Sequence, residues 1–412
     1  MKYFKNTELA KLYNISEKSV RNWIDAAEKD KLDLELYSYS GKNFIADTLG
    51  NSAVIKELVD KGRKYRNSRS HKSVQPSPEF YRQFDTNQAI DIINSIDVYR
   101  EIPQGYAYFG AGAEYWDKYT HRLLSENESN TLTNNIDLLE FDFEAIESFV
   151  AEYDYINVID VGPGNCLPVK NLLERLHSKQ KLKRYIGVDI SRDMLDIAEK
   201  NIKDWFGDKI KFEGYTKDIT FERFRDVVVA DSFGKSQKST ANLVLLLGNL
   251  IPNFREPEQA LHAIRDSMGK QDLLVTFLKL DSQKSRRFFD FNVQSDKAIL
   301  GLQEKFVLDL LGIEDTFYAI EQFYDEKKKS RVIQVRMTVS LTIDFEVGDF
   351  QKTINLHKGE SILLWRSWHY TDYEIIGTYD KNNFSLLQAT KSKNQEYLLL
   401  TSKLKAAEES AD

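Results

Sequence analysis

The sequence predicts an α/β protein with an open, mostly parallel sheet, an inserted α+β region and a small N-terminal helical module. Compact apolar strands at 155–161 and 185–189 are separated by a segment with helical periodicity. A glycine-rich turn joins the first of these strands to its helix. A segment rich in proline and serine, 73–78, separates the N-terminal residues from the rest. Strands that alternate with helices favour a parallel sheet covered on both faces.

The composition restricts the class of protein. The chain has 412 residues, of which 42% are hydrophobic and 29% charged, so two or three globular domains are expected. No apolar run approaches the roughly 18 residues that a transmembrane helix needs, and the N-terminus lacks the apolar core of a signal peptide. The single cysteine, Cys166, excludes an internal disulfide framework. We therefore expect a cytoplasmic protein without a membrane partner.

The first 62 residues have the pattern of a winged helix-turn-helix. Residues 6–12 and 16–27 are predicted to be short helices, with Asn6 or Thr7 capping the first and Ser16 the second. The alternating residues around Ser40-Gly41-Lys42 predict a β-hairpin. Apolar residues at helical spacing would form a small core, namely Leu9, Ala10, Leu12, Ile15, Val20, Trp23 and Ile24.

This module resembles the winged DNA-binding domains of the MerR-like and excisionase-like group. In that group the second helix enters the major groove and the wing contacts the DNA backbone. The resemblance implies that DNA is contacted by outward polar residues of the second helix and the wing, namely Lys18, Ser19, Arg21, Asn22 and Lys42. The basic run 63–72, part of a predicted linker over 63–77, would bind phosphates. The alternative is a protein-docking module followed by a solvated linker.

The strand 155–161 leads into a turn that is suited to bind a ligand. Gly162-Pro163-Gly164 follows the strand, and a side chain at either glycine would keep the backbone from approaching a ligand. The next strand ends at Asp189, close to the spacing expected for an acid that binds ribose hydroxyls. A dinucleotide site would have a third glycine where Cys166 stands, and a triphosphate site would have a GK[ST] motif. A cofactor without phosphates fits best, and S-adenosylmethionine is the common one.

Further strands complete a Rossmann-like methyltransferase sheet, which we assign to residues 131–283 and 372–405. The strand that begins at Phe212 leads to Asp218 and Ile219, which would contact the adenine amino group and ring. The alternative is that Asp218 caps a helix. A fourth strand opens into a loop at Gly248, and a fifth follows a helix that begins near Pro257. The segments 373–380 and 394–404 would return as the closing antiparallel pair.

Three separated segments resemble the histidine-specific methyltransferase family, which includes the ergothioneine-pathway enzyme that makes trimethylhistidine. They are GYAYFGAGAEYWDKYT (105–120), LLLGNLIPNF (245–254) and GESILLWRSWHY (359–370). The resemblance covers roughly residues 100–405 and depends on the order and spacing of the segments. It implies a second, substrate-binding domain from residues 78–130 and 284–371.

The resemblance also implies roles for individual residues. Tyr108 would lie beside the methyl donor and the substrate amine, and the cofactor would be lined by Gly162, Pro163, Gly164, Asp189, Asp218, Ile219 and Gly248. Asn253 would position the substrate, with Tyr108 as the second catalytic residue, and Ser367 would contact it. Trp365 stands where the family has an acid, and the family's upstream tyrosine pair has no counterpart at 120–129. These departures argue against histidine itself as the acceptor.

The leading hypothesis is a methyltransferase that acts on a nitrogen of a small amine or amino-acid-like substrate. Two alternatives remain. The chain is a transcriptional regulator that senses S-adenosylmethionine or another metabolite, or it is a DNA-directed methyltransferase. The loop 249–254 lacks the pair of adjacent prolines that DNA amino-methyltransferases use, together with an aromatic residue, to grip a flipped base. The scattered histidines predict no metal site, and residues 406–412 are predicted to be a disordered tail.

Overall fold

A computed structural model of the chain describes residues 3–126, 129–229, 239–287 and 300–406, without the side chains of residues 60–70. Its contacts divide the chain into two units, residues 1–73 with 339–342 and residues 74–338 with 343–412. The predicted tail lies outside the described residues except for Ala406. None of the described helices is both long and apolar enough to cross a membrane.

The N-terminal unit contains two short helices, a hairpin and a longer helix. Its elements are β1 (Tyr3–Phe4), α1 (Asn6–Tyr13), α2 (Glu17–Ala27), β2 (Leu36–Tyr39), β3 (Lys42–Ala46) and α3 (Leu49–Ser70). Ser16 caps α2 by accepting a hydrogen bond from the backbone of Ser19, as expected. Ser40 and Gly41 have φ angles of 50° and 73°, which close the predicted hairpin. The predicted order of helices and hairpin is therefore confirmed.

Three details of this prediction are wrong. Lys5, and neither Asn6 nor Thr7, is the residue that precedes α1. Leu12 is 64% exposed and does not contribute to the core. Helix α3 continues to Ser70, so the first part of the predicted linker is helical. Its lysine and arginine residues are good helix formers, and the first proline comes only at Pro76. The side chains of the basic run between 63 and 70 lie outside those that the structure describes.

A group of helices comes before the main sheet. After a short strand, β4 (His71–Val74), the chain forms α4 (Pro78–Gln83), α5 (Thr86–Asn94), a π-helical turn (Ser95–Tyr99), a 3₁₀ turn (Gln104–Tyr108), α6 (Gly110–Ser125), α7 (Thr131–Phe141) and α8 (Phe143–Phe149). Asp193 caps α6, because its Oδ2 accepts a hydrogen bond of 2.7 Å from the backbone of Gly110. The N-terminal turn of α6 and the 3₁₀ turn are thereby held at the main sheet.

Strands and helices then alternate along the chain as the sequence predicts. The elements are β5 (Tyr155–Val161), a 3₁₀ turn (Leu167–Val169), α9 (Lys170–Ser178), β6 (Leu182–Asp189), α10 (Arg192–Phe206), a 3₁₀ turn (Gly207–Lys209), β7 (Phe212–Thr216), α11 (Arg225–Val229), β8 (Thr240–Leu246), a 3₁₀ turn (Ile251–Asn253), α12 (Pro257–Ser267) and β9 (Leu273–Lys279).

The C-terminal third is richer in antiparallel strands. It contains α13 (Gln283–Arg287), α14 (Leu302–Leu310), a 3₁₀ turn (Asp315–Phe317), β10 (Tyr318–Asp325), β11 (Ser330–Met337), β12 (Ser340–Val347), β13 (Phe350–Leu356), β14 (Ser361–Trp368), α15 (Asp372–Lys381), β15 (Phe384–Lys391) and β16 (Tyr397–Leu404). The alternating segments 331–347 and 360–368 are strands, as predicted. β11 pairs antiparallel with both β10 and β14.

The main sheet has the strand order β15-β16-β9-β8-β5-β6-β7. The strands from β5 to β9 are parallel to one another, and β16 is antiparallel to β9. One face of the sheet packs against α7, α8, α9 and α10, and the other against α11, α12 and α15. The predicted α/β fold with a Rossmann-like parallel sheet is confirmed. How the remainder divides between a cofactor domain and a lid stays a prediction.

One predicted strand is a helix. The segment 373–380 lies in α15, and the closing antiparallel pair is β15 with β16. Thr371 and Glu374 form a capping box at the start of this helix, where each side chain accepts a hydrogen bond from the other's backbone. Ile375 and Tyr379, four residues apart, are its buried residues. Capping and helical spacing therefore outweigh the β-propensity of the isoleucine and tyrosine residues.

Candidate active site

A cavity of about 380 Å³ lies where the parallel strands of the main sheet end. Every residue that the sequence assigned to the cofactor or the acceptor lines this cavity. They are Tyr108, Gly162, Pro163, Gly164, Asp189, Asp218, Ile219, Gly248, Asn253, Trp365 and Ser367. The residues predicted to contact DNA belong to the N-terminal unit.

The glycine turn after β5 requires unusual backbone angles. Gly162 and Gly164 have φ angles of 69° and 54°, where residues other than glycine are strained. A Cβ atom at Gly162 would lie 3.1 Å from Leu250 Cδ2, so the turn has little room for a side chain there. Cys166 also has a positive φ, 64°, and is fully buried. The turn therefore exposes backbone to the cavity at the end of the sheet.

Three carboxyl groups follow successive strands of the sheet and line the cavity. Asp160 lies near the end of β5, Asp189 ends β6, and Asp218 follows β7. Burial raises the pKa of Asp160 and of Asp189 to about 7, although Tyr185 Oη donates to Asp160 and backbone N–H groups donate to Asp189. Burial also raises the pKa of Asp218. Such a lining disfavours phosphate and favours a ligand with hydroxyl, amino or cationic groups.

The structure excludes one of the two interpretations of Asp218, the helix cap. The backbone N–H and the hydroxyl of Thr220 donate to Asp218 Oδ1 at 2.9 and 2.6 Å, which forms a local turn. The next helix, α11, begins only at Arg225. Asp218 therefore does not cap a helix, and its carboxyl group lies at the cavity beside Ile219.

Tyr108 is held in a fixed position at the other side of the cavity. Gln104 Nε2 donates to Tyr108 Oη at 3.1 Å, and Ser191 Oγ donates to the Tyr108 carbonyl at 2.7 Å. The ring packs edge-on against Trp116, with centroids 5.5 Å apart. Burial raises the pKa of Tyr108, so its hydroxyl is neutral and available as a donor at neutral pH.

The loop after β8 connects the main sheet with the part of β14 that lines the cavity. Gly248 and Asn249 have φ angles of 77° and 63°. Asn249 Oδ1 accepts a hydrogen bond of 2.7 Å from the backbone of Lys279, and its Nδ2 donates to Ser367 Oγ at 3.4 Å. Asn253 ends the 3₁₀ turn that follows. The loop thus brings Asn253 and Ser367 to the same cavity.

Three buried amide oxygens at the cavity are unsatisfied, namely Asn135 Oδ1 in α7 and two that belong to the 3₁₀ turns before α6 and α12. The latter two are Gln104 Oε1 and Asn253 Oδ1, and none of the three has a hydrogen-bond partner among the described residues. Buried polar atoms in proteins are nearly always hydrogen-bonded, so each of these atoms is expected to have a partner. All three are acceptors, and a ligand would satisfy them by donating N–H or O–H groups.

His369 belongs to a buried cluster at the cavity. Its Nδ1 lies 3.3 Å from Asp281 Oδ1 and 3.4 Å from Ser285 Oγ. Burial lowers the pKa of His369 to about 4, so the imidazole is neutral at physiological pH. Lys279 and Arg331 also line the cavity. His369 is therefore a buried, hydrogen-bonded side chain and not a cation.

Sequence reasoning missed several cavity residues. Gln104 directly precedes the predicted segment 105–120, and Asp160 precedes the glycine turn by two positions, so both could have been included. Asn135 lies within a helix and carries no local motif. Only the packing of α7 brings this residue to the cavity.

Known proteins resemble this chain in sequence and in fold. A family model described as histidine-specific methyltransferase, SAM-dependent, matches residues 88–403. No curated protein sequence matches the chain. A solved S-adenosylmethionine-dependent methyltransferase from Clostridium acetobutylicum is 14% identical, with 71% of this chain and 99% of that chain covered and a TM-score of 0.35.

Two further solved structures are similar at the same level. Magnesium protoporphyrin IX methyltransferase from Synechocystis, with bound SAH, is 11% identical over 73% of this chain and 96% of that chain, with a TM-score of 0.35. An amino pentose methyltransferase from Micromonospora echinaspora, with bound SAM, is 11% identical over 70% and 96%, with a TM-score of 0.34.

Proposed function

Because the chain belongs to the histidine-specific, SAM-dependent methyltransferase family, we propose that it methylates a nitrogen of a small amine or amino-acid-like acceptor. The observation that carries this proposal is the pair of unsatisfied amide oxygens, Gln104 Oε1 and Asn253 Oδ1, on the wall of the cavity. An amine with two N–H groups would satisfy both oxygens. We assign the acceptor to the part of the cavity between Tyr108, Asn253 and Ser367.

The cofactor is S-adenosylmethionine, and the residues present fit it. The positive φ angles of Gly162 and Gly164 give a close backbone approach, and Asp189 offers a carboxyl group to ribose hydroxyls. The buried carboxyl groups of Asp160 and Asp218 suit a cationic ligand with an amino-substituted base and no phosphate.

When bound, S-adenosylmethionine would supply an electrophilic methyl group on its sulfonium to the acceptor nitrogen and would leave as the neutral thioether S-adenosylhomocysteine. The protein's contribution is to orient the lone pair of a neutral amine. We assign this work to Gln104 and Asn253, whose amide oxygens would accept from the N–H groups, and to the neutral phenol of Tyr108. The methylated nitrogen then releases its proton to solvent, so a strong general base is not required.

Histidine is not the acceptor that we propose. Trp365 lines the cavity where the family has an acid, and an indole offers no carboxylate to an imidazole or ammonium group. Trp365 instead presents an apolar and aromatic surface next to Ser367. We propose that the acceptor places an apolar or flat group against it.

A screen with methyl-labelled S-adenosylmethionine against amines, amino acids, hydroxyl compounds and DNA tests this function. We expect transfer to a small amine. Asn253→Ala should lower kcat/KM by about tenfold or more, since a hydrogen bond is lost near the reacting nitrogen. The same variant should bind S-adenosylhomocysteine like the wild type in calorimetry, whereas Asp189→Ala should not bind it.

Two outcomes would contradict the proposal. Transfer to hydroxyl compounds or DNA, and not to amines, would exclude an N-methyltransferase for small acceptors. Tight binding of S-adenosylhomocysteine without transfer to any acceptor would favour the regulator that senses the cofactor.

We also propose that the N-terminal unit binds DNA. Lys18, Arg21 and Asn22 are exposed and recur at three- and four-residue spacing along α2, so they share one face of this helix. Lys42 is exposed at the start of β3. The hydroxyl of Ser19 lies 2.9 Å from that of Ser16, so we now assign Ser19 to the helix cap.

A further inference from the structure

Asn135 is a buried polar residue that the reaction described above does not use. It lies in α7, one turn before Leu138 and Leu139, which pack against the main sheet. Only 1% of its surface is exposed, the side chain lines the main cavity, and its Oδ1 has no hydrogen-bond partner within the described part of the chain.

The neighbouring residue shows the usual arrangement. Asn134 Nδ2 donates to Ser129 Oγ at 2.9 Å and to the Asn130 carbonyl at 2.7 Å. It does not line the cavity. An unsatisfied buried amide destabilises a folded protein, so Asn135 Oδ1 is expected to have a partner that is not among the described residues, and a ligand in the cavity can supply one.

The position of α7 indicates which part of the cofactor would reach it. Asp189 and Asp218 follow β6 and β7, on one side of β5 in the sheet. Helix α7 packs against the 3₁₀ turn Leu167–Val169 and against β16, which lies on the other side of β5. A ligand with its adenosine at Asp189 would cross the glycine turn and direct its opposite end towards α7.

The chemistry at this end of the cavity selects for an ammonium group. Asp160 is 1% exposed, and its Oδ1 has no hydrogen-bond partner among the residues described. It alternates along β5 with Ile159 and so lies on the face of the sheet that packs against α7. Two unsatisfied acceptors that line the cavity, one of them a carboxyl oxygen, therefore lie on the side of the main sheet that packs against α7. Their complement is a group that carries several N–H donors and a positive charge.

We propose that Asn135 binds the amino-acid end of S-adenosylmethionine. Its Oδ1 accepts a hydrogen bond from the α-ammonium group, and its side-chain N–H donates to the α-carboxylate. An asparagine amide suits this end of the cofactor because it offers both an acceptor and a donor. The inference rests on the proposed function only through its cofactor and is independent of the methyl acceptor.

Two compounds that differ in this end of the cofactor test the proposal. S-Adenosylhomocysteine has the α-amino-acid group, whereas 5′-methylthioadenosine has the same nucleoside and thioether without it. In calorimetry with the full chain, Asn135→Leu should raise the Kd of S-adenosylhomocysteine about ten- to a hundredfold, as expected for charge-assisted hydrogen bonds. The Kd of 5′-methylthioadenosine should stay at its wild-type value.

Control variants separate binding from a structural role. Asn134→Leu removes the same kind of group from the same helix, and should lower the melting temperature without changing the ratio of the two Kd values. Asn135→Leu should melt without ligand at the wild-type temperature or above it, because an unsatisfied polar group is replaced by an apolar one of similar size. Asn135→Ala, which removes the amide and leaves a smaller side chain, should show the same selective loss of affinity for S-adenosylhomocysteine.

Several results would overturn the inference. One is a wild-type protein that binds the two compounds equally well. Another is that both Asn135 variants raise the Kd of the two compounds by the same factor, or change neither Kd. A different result would refute only the proposed acceptor. If the wild-type protein transfers no methyl group to amines, while Asn135→Leu still weakens S-adenosylhomocysteine and not 5′-methylthioadenosine, the role of Asn135 stands.

Discussion

Asp160 and Asp189 are buried carboxyl groups whose protonation couples cofactor binding to pH. Burial raises the pKa of both to about 7, well above the value of about 3.9 for an aspartate in an unfolded chain. Without a ligand, these two groups therefore reduce the stability of the folded protein as the pH rises from about 4 to 7. A cationic ligand or one that donates hydrogen bonds stabilises the ionised form and recovers this loss.

We therefore expect S-adenosylhomocysteine to bind more tightly at pH 8 than at pH 6. Below pH 7 a proton must leave each carboxyl group before it can accept from the ligand, so affinity falls by up to about tenfold per pH unit and group. Calorimetry from pH 6 to 8, in buffers of different ionisation enthalpy, measures both the affinity and the proton release. An affinity that is independent of pH, or one that rises towards pH 6, would contradict this assignment.

At the residue scale, sequence reasoning succeeded where a side chain follows directly from a strand or a turn. Asp189 ends an apolar strand, and the strand's direction alone takes it to the ligand edge of the sheet. Asn135 could not be found in this way, because nothing in a helical sequence indicates that one asparagine remains without a hydrogen bond. That property exists only after α7 has packed.

The junction between the 3₁₀ turn Gln104–Tyr108 and α6 depends on a helical glycine. A Cβ atom at Gly112 would lie 2.1 Å from the carbonyl oxygen of Ala107, an approach that no side chain tolerates. This carbonyl belongs to the turn that carries Gln104 and Tyr108. Packing at Gly112 therefore fixes the two side chains that we place beside the acceptor.

We expect Gly112→Ala to destabilise the protein by more than about 2 kcal/mol and to reduce methyl transfer. Alanine in an exposed helix interior normally stabilises a protein by about 0.5–1 kcal/mol relative to glycine. A lower free energy of unfolding in Gly112→Ala would therefore be caused by the clash with the Ala107 carbonyl oxygen. Thermal unfolding and urea titration measure the effect.

Gly377→Ala in α15 is the matched control. No described atom lies within 4 Å of the Cβ position at Gly377, so this variant should gain about 0.5–1 kcal/mol. Equal effects of the two substitutions would show that the contact at Ala107 is not formed.

At the scale of elements, strands were easier to predict than the helices at either end of the chain. Buried parallel strands are short, continuous apolar runs, and the runs at 155–161 and 185–189 are too short and too rich in β-branched residues to favour a helix. Helix α15 was mistaken for a strand because its isoleucine and tyrosine residues favour strands, while its capping box extends over only four residues. Helix α3 was not predicted, and its basic C-terminal part was assigned to a linker because a basic run resembles a linker in composition.

At the scale of the whole molecule, a DNA-binding assay can test whether the positive side chains of the N-terminal unit bind DNA. Lys18→Glu with Arg21→Glu should abolish mobility shifts of double-stranded DNA at low salt, since both side chains lie on the exposed face of α2. Lys11→Glu on α1, which changes the net charge by half as much, is the control for charge away from α2 and should weaken binding only slightly. Binding of S-adenosylhomocysteine should stay unchanged in both the double variant and the control.

The DNA proposal is excluded if the wild-type chain causes no mobility shift at low salt. It is also excluded if the double variant and the Lys11 variant bind DNA equally well. Binding would then depend on the total charge of the protein and not on the exposed face of α2.

At the same scale, the sequence predicts the order of the strands along the chain, but it does not predict which residues form the walls of the cavity. The walls come from residues as far apart as Asp91 and His369, and β14 contributes Trp365 and Ser367 from an antiparallel sheet. Local patterns give the direction of each strand, whereas the distance between the glycine turn and β14 depends on packing across most of the chain. Resemblance to a family supplied this link when periodicity did not.

Asn249 limits how modular this architecture is. Its Oδ1 accepts a hydrogen bond from the backbone of Lys279 in β9, and its Nδ2 donates to Ser367 Oγ on β14, so this side chain links the loop after β8 to two further strands. Trp368 Nε1 on β14 also donates to the Phe254 carbonyl at 2.8 Å, which gives the loop a second link to that strand. A different strand in the place of β14 would therefore have to supply hydrogen-bond partners for both positions, or the conformation of the loop would change with it.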